Sequence, residues 1–178
     1  RIEKGGNYTM KEIEVKVLDI NKKLIEDRLT KLGAKKISDG LVNSWHYDFP
    51  DEKIKNNSDH LRIRQEGGHS FITFKSPISR DQAKIMEELE TDIQDIKTMK
   101  TIFEKIGLEM KGEFQKQRVS YELNDSKIEL DKNPNIPWYL EIEAKGIQHI
   151  HSISEALGIQ RSQLKPWSTK QVYQHYKK

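Results

Sequence analysis

The stretch Met10-Lys11-Glu12-Ile13-Glu14-Val15-Lys16-Val17-Leu18 alternates charge and aliphatic bulk almost step by step. A period of two belongs to a β-strand, whose successive side chains point to opposite faces. Ile13, Val15 and Val17 share one face; Glu12, Glu14 and Lys16 share the other. The same alternation recurs downstream. Sorted by parity, the apolar face gathers Leu61, Ile63, Ile72, Phe74, Leu89, Val119, Tyr121, Ile128, Leu130, Leu140 and Ile142. The opposite face gathers Arg62, Arg64, Thr73, Lys75, Lys84, Glu88, Glu90, Lys116, Arg118, Glu129, Asp131, Glu141 and Glu143.

Any one such strand fits an antiparallel sheet with helices on one side and water on the other. The set does not fit that picture well. A solvated face mixes Ser, Thr, Gln and Asn, whereas here nearly every position is charged and the signs segregate by strand. Closing the sheet into a barrel accounts for both features: helices cover the apolar outside and the charges line the inside. The expected fold class is therefore α+β, a closed antiparallel β-barrel with helices packed outside.

The connecting signals agree. Asn21 caps a helix carrying Leu24, Ile25, Leu29 and Leu32, which Gly33 ends. Asp95 caps a second helix bearing Ile96, Met99, Phe103 and Ile106, ended by Gly107; a third carries Ile147, Ile150, Ile153 and Leu157 and ends at Gly158. Gly67-Gly68 and Asn124-Asp125 mark hairpins. Residues 34–49 hold extended segments, residues 51–58 a loop or helical turn, and residues 115–123 and 127–131 a strand pair. A last helix over Thr169–Tyr176 could close one mouth of the barrel. Three times a strand bearing Glu-x-Glu leads to a helix ending at Gly, a weak internal repeat.

Composition narrows the chemistry. The 178 residues predict one domain, over residues 10–178, with residues 1–9 read as a non-native or unstructured lead and Met10 as the natural start. With no cysteine, disulfides, zinc–thiolate sites, iron–sulfur ligation and a cysteine nucleophile are excluded. Charged residues make up 33%, against about 25% in a typical domain. The net charge of +3 is too balanced for a generic nucleic-acid binder. No apolar run reaches the roughly 18–20 residues of a membrane span, and no signal peptide is visible, so the expected compartment is the cytoplasm. Burying so many charges is untenable without partners. A hard divalent cation such as Mg²⁺ or Mn²⁺ on the carboxylates, with a polyanion on the Arg and Lys side chains, would supply them. That number of cations suits a triphosphate better than a single phosphate.

These residues resemble a known family. Glu12-Ile-Glu-Val-Lys16 is similar to the ExExK signature of the CYTH, or triphosphate tunnel metalloenzyme, superfamily, and Leu61-Arg-Ile-Arg64, Phe74-Lys75, Glu88-Leu-Glu90, Lys116-Gln-Arg118, Glu129-Leu-Asp131 and Glu141-Ile-Glu143 follow in the family's order. Residues 130–143 resemble the LDxxPxLGxFxEIE stretch of the class IV adenylyl cyclase branch, with Pro137 at the position of its glycine. The resemblance implies an eight-stranded tunnel acting on triphosphates with Mg²⁺ or Mn²⁺. By position it implies Glu12, Glu14, Glu129, Asp131, Glu141 and Glu143 as metal ligands. It implies Lys16, Arg62, Arg64, Lys75, Lys116 and Arg118 as the phosphate clamp, with Lys84 beside them. Glu88 and Glu90 are candidates for a second metal or for orienting the nucleophile, and Lys16 joins them as a catalytic candidate. It also implies a homodimer.

Two reactions share such machinery. Water could attack the terminal phosphorus of tripolyphosphate, ATP or a similar small molecule, or a ribose hydroxyl could attack the α-phosphorus to give cyclic AMP and pyrophosphate. No base-reading motif is legible, which favours hydrolysis. A non-catalytic polyphosphate or nucleotide binding module is the third reading, disfavoured by the number of carboxylates. The six histidines show no metal-ligand spacing, and Trp45, Tyr47 and Phe49 read as core packing rather than a base platform.

Overall fold

The computed structural model describes residues 10–177; the expected lead, residues 1–9, lies outside them. The chain runs β1 (Met10–Val17), α1 (Lys22–Lys31), β2 (Lys35–Asp48), α2 (Lys53–Asn56), β3 (His60–Glu66), β4 (His69–Arg80), β5 (Lys84–Asp92), α3 (Ile96–Lys105), β6 (Glu109–Leu123), β7 (Ser126–Lys132), β8 (Tyr139–Glu143), α4 (Ile147–Ala156) and α5 (Thr169–Tyr176). The strands close into an antiparallel barrel in the order β1-β5-β4-β3-β2-β6-β7-β8. Pairs from Glu14↔Glu143 to Val17↔Leu140 join β1 to β8 and complete the ring. Closure pairs every strand with two neighbours, although residues 109–116 of β6 pair with β2 alone.

Turn chemistry sets the registers of the two tight hairpins. Gly67 and Gly68 have φ of 57° and 84°, and Asn124 and Asp125 have 50° and 57°. Positive φ at both central residues is the type I′ turn, whose twist matches that of the strands. Asn21 and Asp95 cap α1 and α3 as expected, each accepting backbone N–H bonds through its side chain. Three strands are longer than alternation predicted, and one of them, β4, runs on past Lys75 to Arg80. β2 is continuous, and β6 begins at Glu109 rather than Gln115. The β2–β6 pairing, with irregularities between Lys36 and Ser38 and between His46 and Tyr47, extends the ladder through segments without clean periodicity. Cross-strand hydrogen bonding there overrides the local pattern.

The apolar outside is covered in two patches. Ile25 and Leu29 of α1 and Ile150, Ile153 and Leu157 of α4 pack on Val15, Val119, Ile128, Leu130, Leu140 and Ile142, most of them fully buried. Phe103 of α3 and Ile54 of α2 pack on Tyr47 and Ile63. Tyr47 meets Phe103 edge-on at 4.9 Å, and Lys100 Nζ lies 3.4 Å from the centroid of the Trp45 ring. Trp45, Tyr47 and Phe49 therefore belong to the outer core, as their spacing predicted. α5 forms where expected. Its Val172, Tyr173 and Tyr176 cluster with Leu18 and Tyr139, which continue the inward-facing parity of β1 and β8, so this helix lies against one end of the lumen.

Candidate active site in the barrel lumen

Register decides which charges meet. Directly opposed residues on antiparallel neighbours share a face, and Lys16↔Glu141, Glu14↔Lys84, Lys75↔Glu88, Arg118↔Asp131 and Glu129↔Glu141 are all opposed pairs. The lumen therefore collects every residue singled out on the charged face. Lys16 Nζ sits 3.0 Å from Glu14 and 2.7 Å from Glu141. Lys84 Nζ reaches Glu14 at 2.7 Å. Lys75 Nζ lies between Glu12 at 2.7 Å and Glu88 at 3.0 Å. Arg118 grips Asp131 with two N–H bonds of 2.6 and 2.7 Å, and reaches Glu129 at 2.6 Å and Glu141 at 3.1 Å. Lys116 Nζ also donates to Asp131. Arg64 donates to Glu90 at 3.1 Å, and Thr73 Oγ1 bonds the same carboxylate at 2.7 Å.

These pairs hold their charges against burial. Burial opposes the charge on Lys16, but Glu14 and Glu141 more than offset it and raise its pKa. Burial would raise Glu14, but Lys16 and Lys84 hold it down to about 2. Glu141 stays well below the carboxylate range because Lys16, Lys116 and Arg118 outweigh its desolvation. Lys16 and Arg118 thus remain cations and Glu14 and Glu141 anions across the ordinary pH range.

Two lumen groups depart from this pattern. Among the described residues Arg62 makes no ion pair, its Nε is buried without a hydrogen-bond partner, and burial together with Arg64 lowers its pKa. Glu143 is the complementary case. Opposed in register to Glu14 and to Lys127, it makes no ion pair among the described residues. Burial, reinforced by Glu12 and Glu129, pushes it up to about 7 against the pull of Lys127. Glu129 Oε1 nearby is buried and accepts no hydrogen bond, although Lys127 Nζ stands 3.4 Å away. A half-buried guanidinium without an anion and a half-buried carboxylate without a cation each carry a desolvation cost that no partner offsets.

The donor set fits a hard cation. It consists of carboxylate oxygens, the ligands Mg²⁺ and Mn²⁺ take. Counting Glu66, lumen carboxylates outnumber lumen lysines and arginines on the named positions, so a polyanion is better matched when a cation accompanies it. Among the described residues, however, no three acidic or histidine side chains converge as a ready cage. Glu12, Glu14, Asp131 and Glu141 lean instead on lysines and arginines. Glu143 and Glu129 Oε1 are the oxygens least engaged.

Parity missed some of the lining. Glu66 stands 3.5 Å from Arg64 and 4.0 Å from Arg118 and accepts from Ser120 Oγ. Continuing the Arg62, Arg64 series one step past Gln65 would have reached it. Tyr139, Ser120, His46 and Phe114 are also on the lumen parity. Of these, only Tyr139 carried a signal, the aromatic position before Glu141-Ile-Glu143. Burial, with Arg62 and His60, lowers His46 to about 4, so its imidazole is neutral at pH 7.

The comparisons agree with this architecture. A protein of Methanocaldococcus jannaschii named as a candidate adenylate cyclase is 31% identical over 148 residues, 83% of this chain and 84% of that one. A Pyrococcus horikoshii structure, 25% identical, superposes with a TM-score of 0.75 over 90% of this chain and 98% of the other. A Hippeastrum protein named as a candidate adenylyl cyclase and described as having a dominant triphosphatase activity shares the fold, with a TM-score of 0.65 at 16% identity over 93% and 95% of the two chains. The family model of the CYTH domain matches residues 10–169. With a closed eight-stranded barrel whose interior is rich in charge, and with this match over most of its length, the chain belongs to the CYTH domain family.

Proposed function

We propose that this protein is a divalent-metal-dependent enzyme that binds a triphosphate in its lumen and hydrolyses it to release phosphate. The observation that carries the reading is Arg62, half-buried and without an ion pair among the described residues, in a lumen where other cations are already matched. A phosphate chain would give Arg62 its counter-ion and draw on Arg64, Lys75, Lys84, Lys116 and Arg118 as neighbours.

Glu12, Glu14, Glu129, Asp131, Glu141 and Glu143 would hold the cation. When bound, that cation would neutralise phosphate charge and favour departure of the leaving oxygen. Lys16, fixed as a cation by Glu14 and Glu141, acts on phosphate charge and not as a base. In hydrolysis a water oxygen forms the new bond to the terminal phosphorus, the bridging P–O bond breaks, and its electron pair leaves with the shortened chain. Glu88 or Glu90, on the β5 wall, would accept the proton of the attacking water. Both now hold cations of β3 and β4, which an arriving phosphate chain would compete for.

Cyclisation of ATP to cyclic AMP and pyrophosphate is the second reading, supported by the name of the Methanocaldococcus jannaschii relative. The test is product analysis with Mg²⁺ or Mn²⁺ and either ATP or tripolyphosphate. Phosphate release lost in Glu12→Ala supports hydrolysis. Cyclic AMP plus pyrophosphate supports the cyclase. Tight binding of tripolyphosphate with no turnover of either compound replaces both with a binding module. No binding at all removes the triphosphate reading.

A further inference from the structure

Phe114 is an odd residue for its position. It lies on the lumen parity of β6, two residues before Lys116, yet it is 52% exposed. A lone exposed aromatic needs no explanation, but this ring is held in place. Its partner in the β2–β6 register is Ser44, and the neighbouring opposed pair on the same face is His46↔Gly112. The ring lies over Gly112: a Cβ built there would stand 2.8 Å from Phe114 Cε2. The His46 ring meets it edge-on, with centroids 5.0 Å apart and an interplanar angle of 76°. Edge-to-face contact occupies only part of an aromatic surface. Glycine at 112 makes room for the ring, and His46 braces it.

The brace leads directly to the phosphate clamp. His46 is opposed to Arg62 in the β2–β3 register, the guanidinium that lacks an ion pair among the described residues. Phe114 and Lys116 are about 7 Å apart along one face of the strand. That is roughly the room a sugar needs between a base and its first phosphate. Phe71, the other lumen-parity phenylalanine, is different: the Arg64 guanidinium already lies 5.1 Å from the centroid of its ring.

We propose that Phe114, seated on Gly112 and braced by His46, is a stacking platform for the heterocyclic base of a nucleoside triphosphate whose phosphates engage Arg62 and Lys116. The inference rests on the triphosphate reading and narrows it to nucleotides. Every base offers a π-face, so the platform selects a heterocycle over an aliphatic substituent without choosing among bases. It specifies the substrate class and leaves the phosphate chemistry to the rest of the lumen.

The test compares ATP with methyl triphosphate, which carries a triphosphate monoester but no base, by isothermal titration calorimetry in Mg²⁺. The wild-type protein should bind ATP about ten-fold more tightly, on the scale of one base–aromatic stack. Phe114→Ala should abolish that preference, and Gly112→Ala, by displacing the ring, should reduce it. Should Phe114→Ala fail to fold, Phe114→Leu, which keeps bulk without a π-face, should also lose the preference. Equal binding of the two compounds by the wild type, or an ATP preference that survives in the Phe114 variants, overturns the platform and leaves the triphosphate reading standing. Binding of neither compound by the wild type overturns both.

Discussion

The two sides of the lumen are built on different principles. On the side of β1, β6, β7 and β8, most charges other than Glu143 are sunk and matched: Lys16, Arg118 and Asp131 are 1%, 4% and 0% exposed, and each contacts opposite charges. On the side of β3, β4 and β5 the pairs are looser. Lys75, Glu88 and Glu90 remain partly accessible, and Arg62 is left over. The difference teaches that the matched side holds its charges in place before any ligand arrives, whereas the looser side has more capacity to spare for one. Removing a partner should therefore hurt folding on one side and binding on the other.

The largest expected effect lies on the matched side. Asp131→Ala leaves Arg118 and Lys116 without their shared carboxylate, and breaking a buried pair costs about 3–5 kcal/mol. Urea denaturation should show the loss; a change under about 1 kcal/mol would mean that Glu129 and Glu141 re-pair Arg118 alone. Next comes the ligand. Saturating Mg²⁺ and tripolyphosphate at a hundred times the Kd should stabilise the wild type by about 2.7 kcal/mol, read as a rise in melting temperature. Omission of Mg²⁺ should shrink the rise, because the lumen carboxylates then face the polyanion directly.

Arg62→Ala sharpens the comparison from the other side. Loss of a charge-assisted hydrogen bond, worth about 1.5–3 kcal/mol, should weaken tripolyphosphate binding about ten- to hundred-fold. The ligand-free variant should be no less stable than wild type, because repulsion from Arg64 is relieved. A large loss of stability without ligand would place Arg62 with the structural side.

The smallest effect concerns His46, at the junction between β2 and the looser side. Its folded pKa of about 4 lies below the unfolded value, which is about 6.5. The unfolded chain therefore takes up a proton that the folded chain refuses. The stabilisation from His46 is complete above pH 6.5 and is lost as the pH falls toward 4. The stability advantage of wild type over His46→Gln should decline across that window in paired urea titrations. An advantage that stays flat with pH would show that His46 is not held neutral by its surroundings.

Much of this was legible in one dimension, for reasons particular residues make plain. Glu12, Glu14 and Lys16 could be assigned to one face because the strand period is two, whatever the strand pairs with. The ends of α1 and α3 followed from Asn21, Gly33, Asp95 and Gly107. The upstream half of β6 was not legible, because Glu109-Met-Lys-Gly-Glu-Phe has no clean alternation and becomes strand only by pairing with β2. Glu66 lay one step beyond the Arg62, Arg64 series. Phe114 carried no signal: its meaning depends on Gly112 beneath it and on His46 across the ladder.

Local sequence, then, determined which side chains share a face, where the tight turns fall and where the helices stop, since each depends on the geometry of a few consecutive residues. Tertiary structure decided that β1 sits between β5 and β8, and so that Lys16 meets Glu141 while Arg118 meets Asp131. It also decided that Arg62 and Glu143 are left without an ion pair among the described residues. Those outcomes depend on closure and register between strands distant in sequence, because Coulomb energy in a desolvated lumen is set by separations of a few ångströms that no stretch of sequence contains.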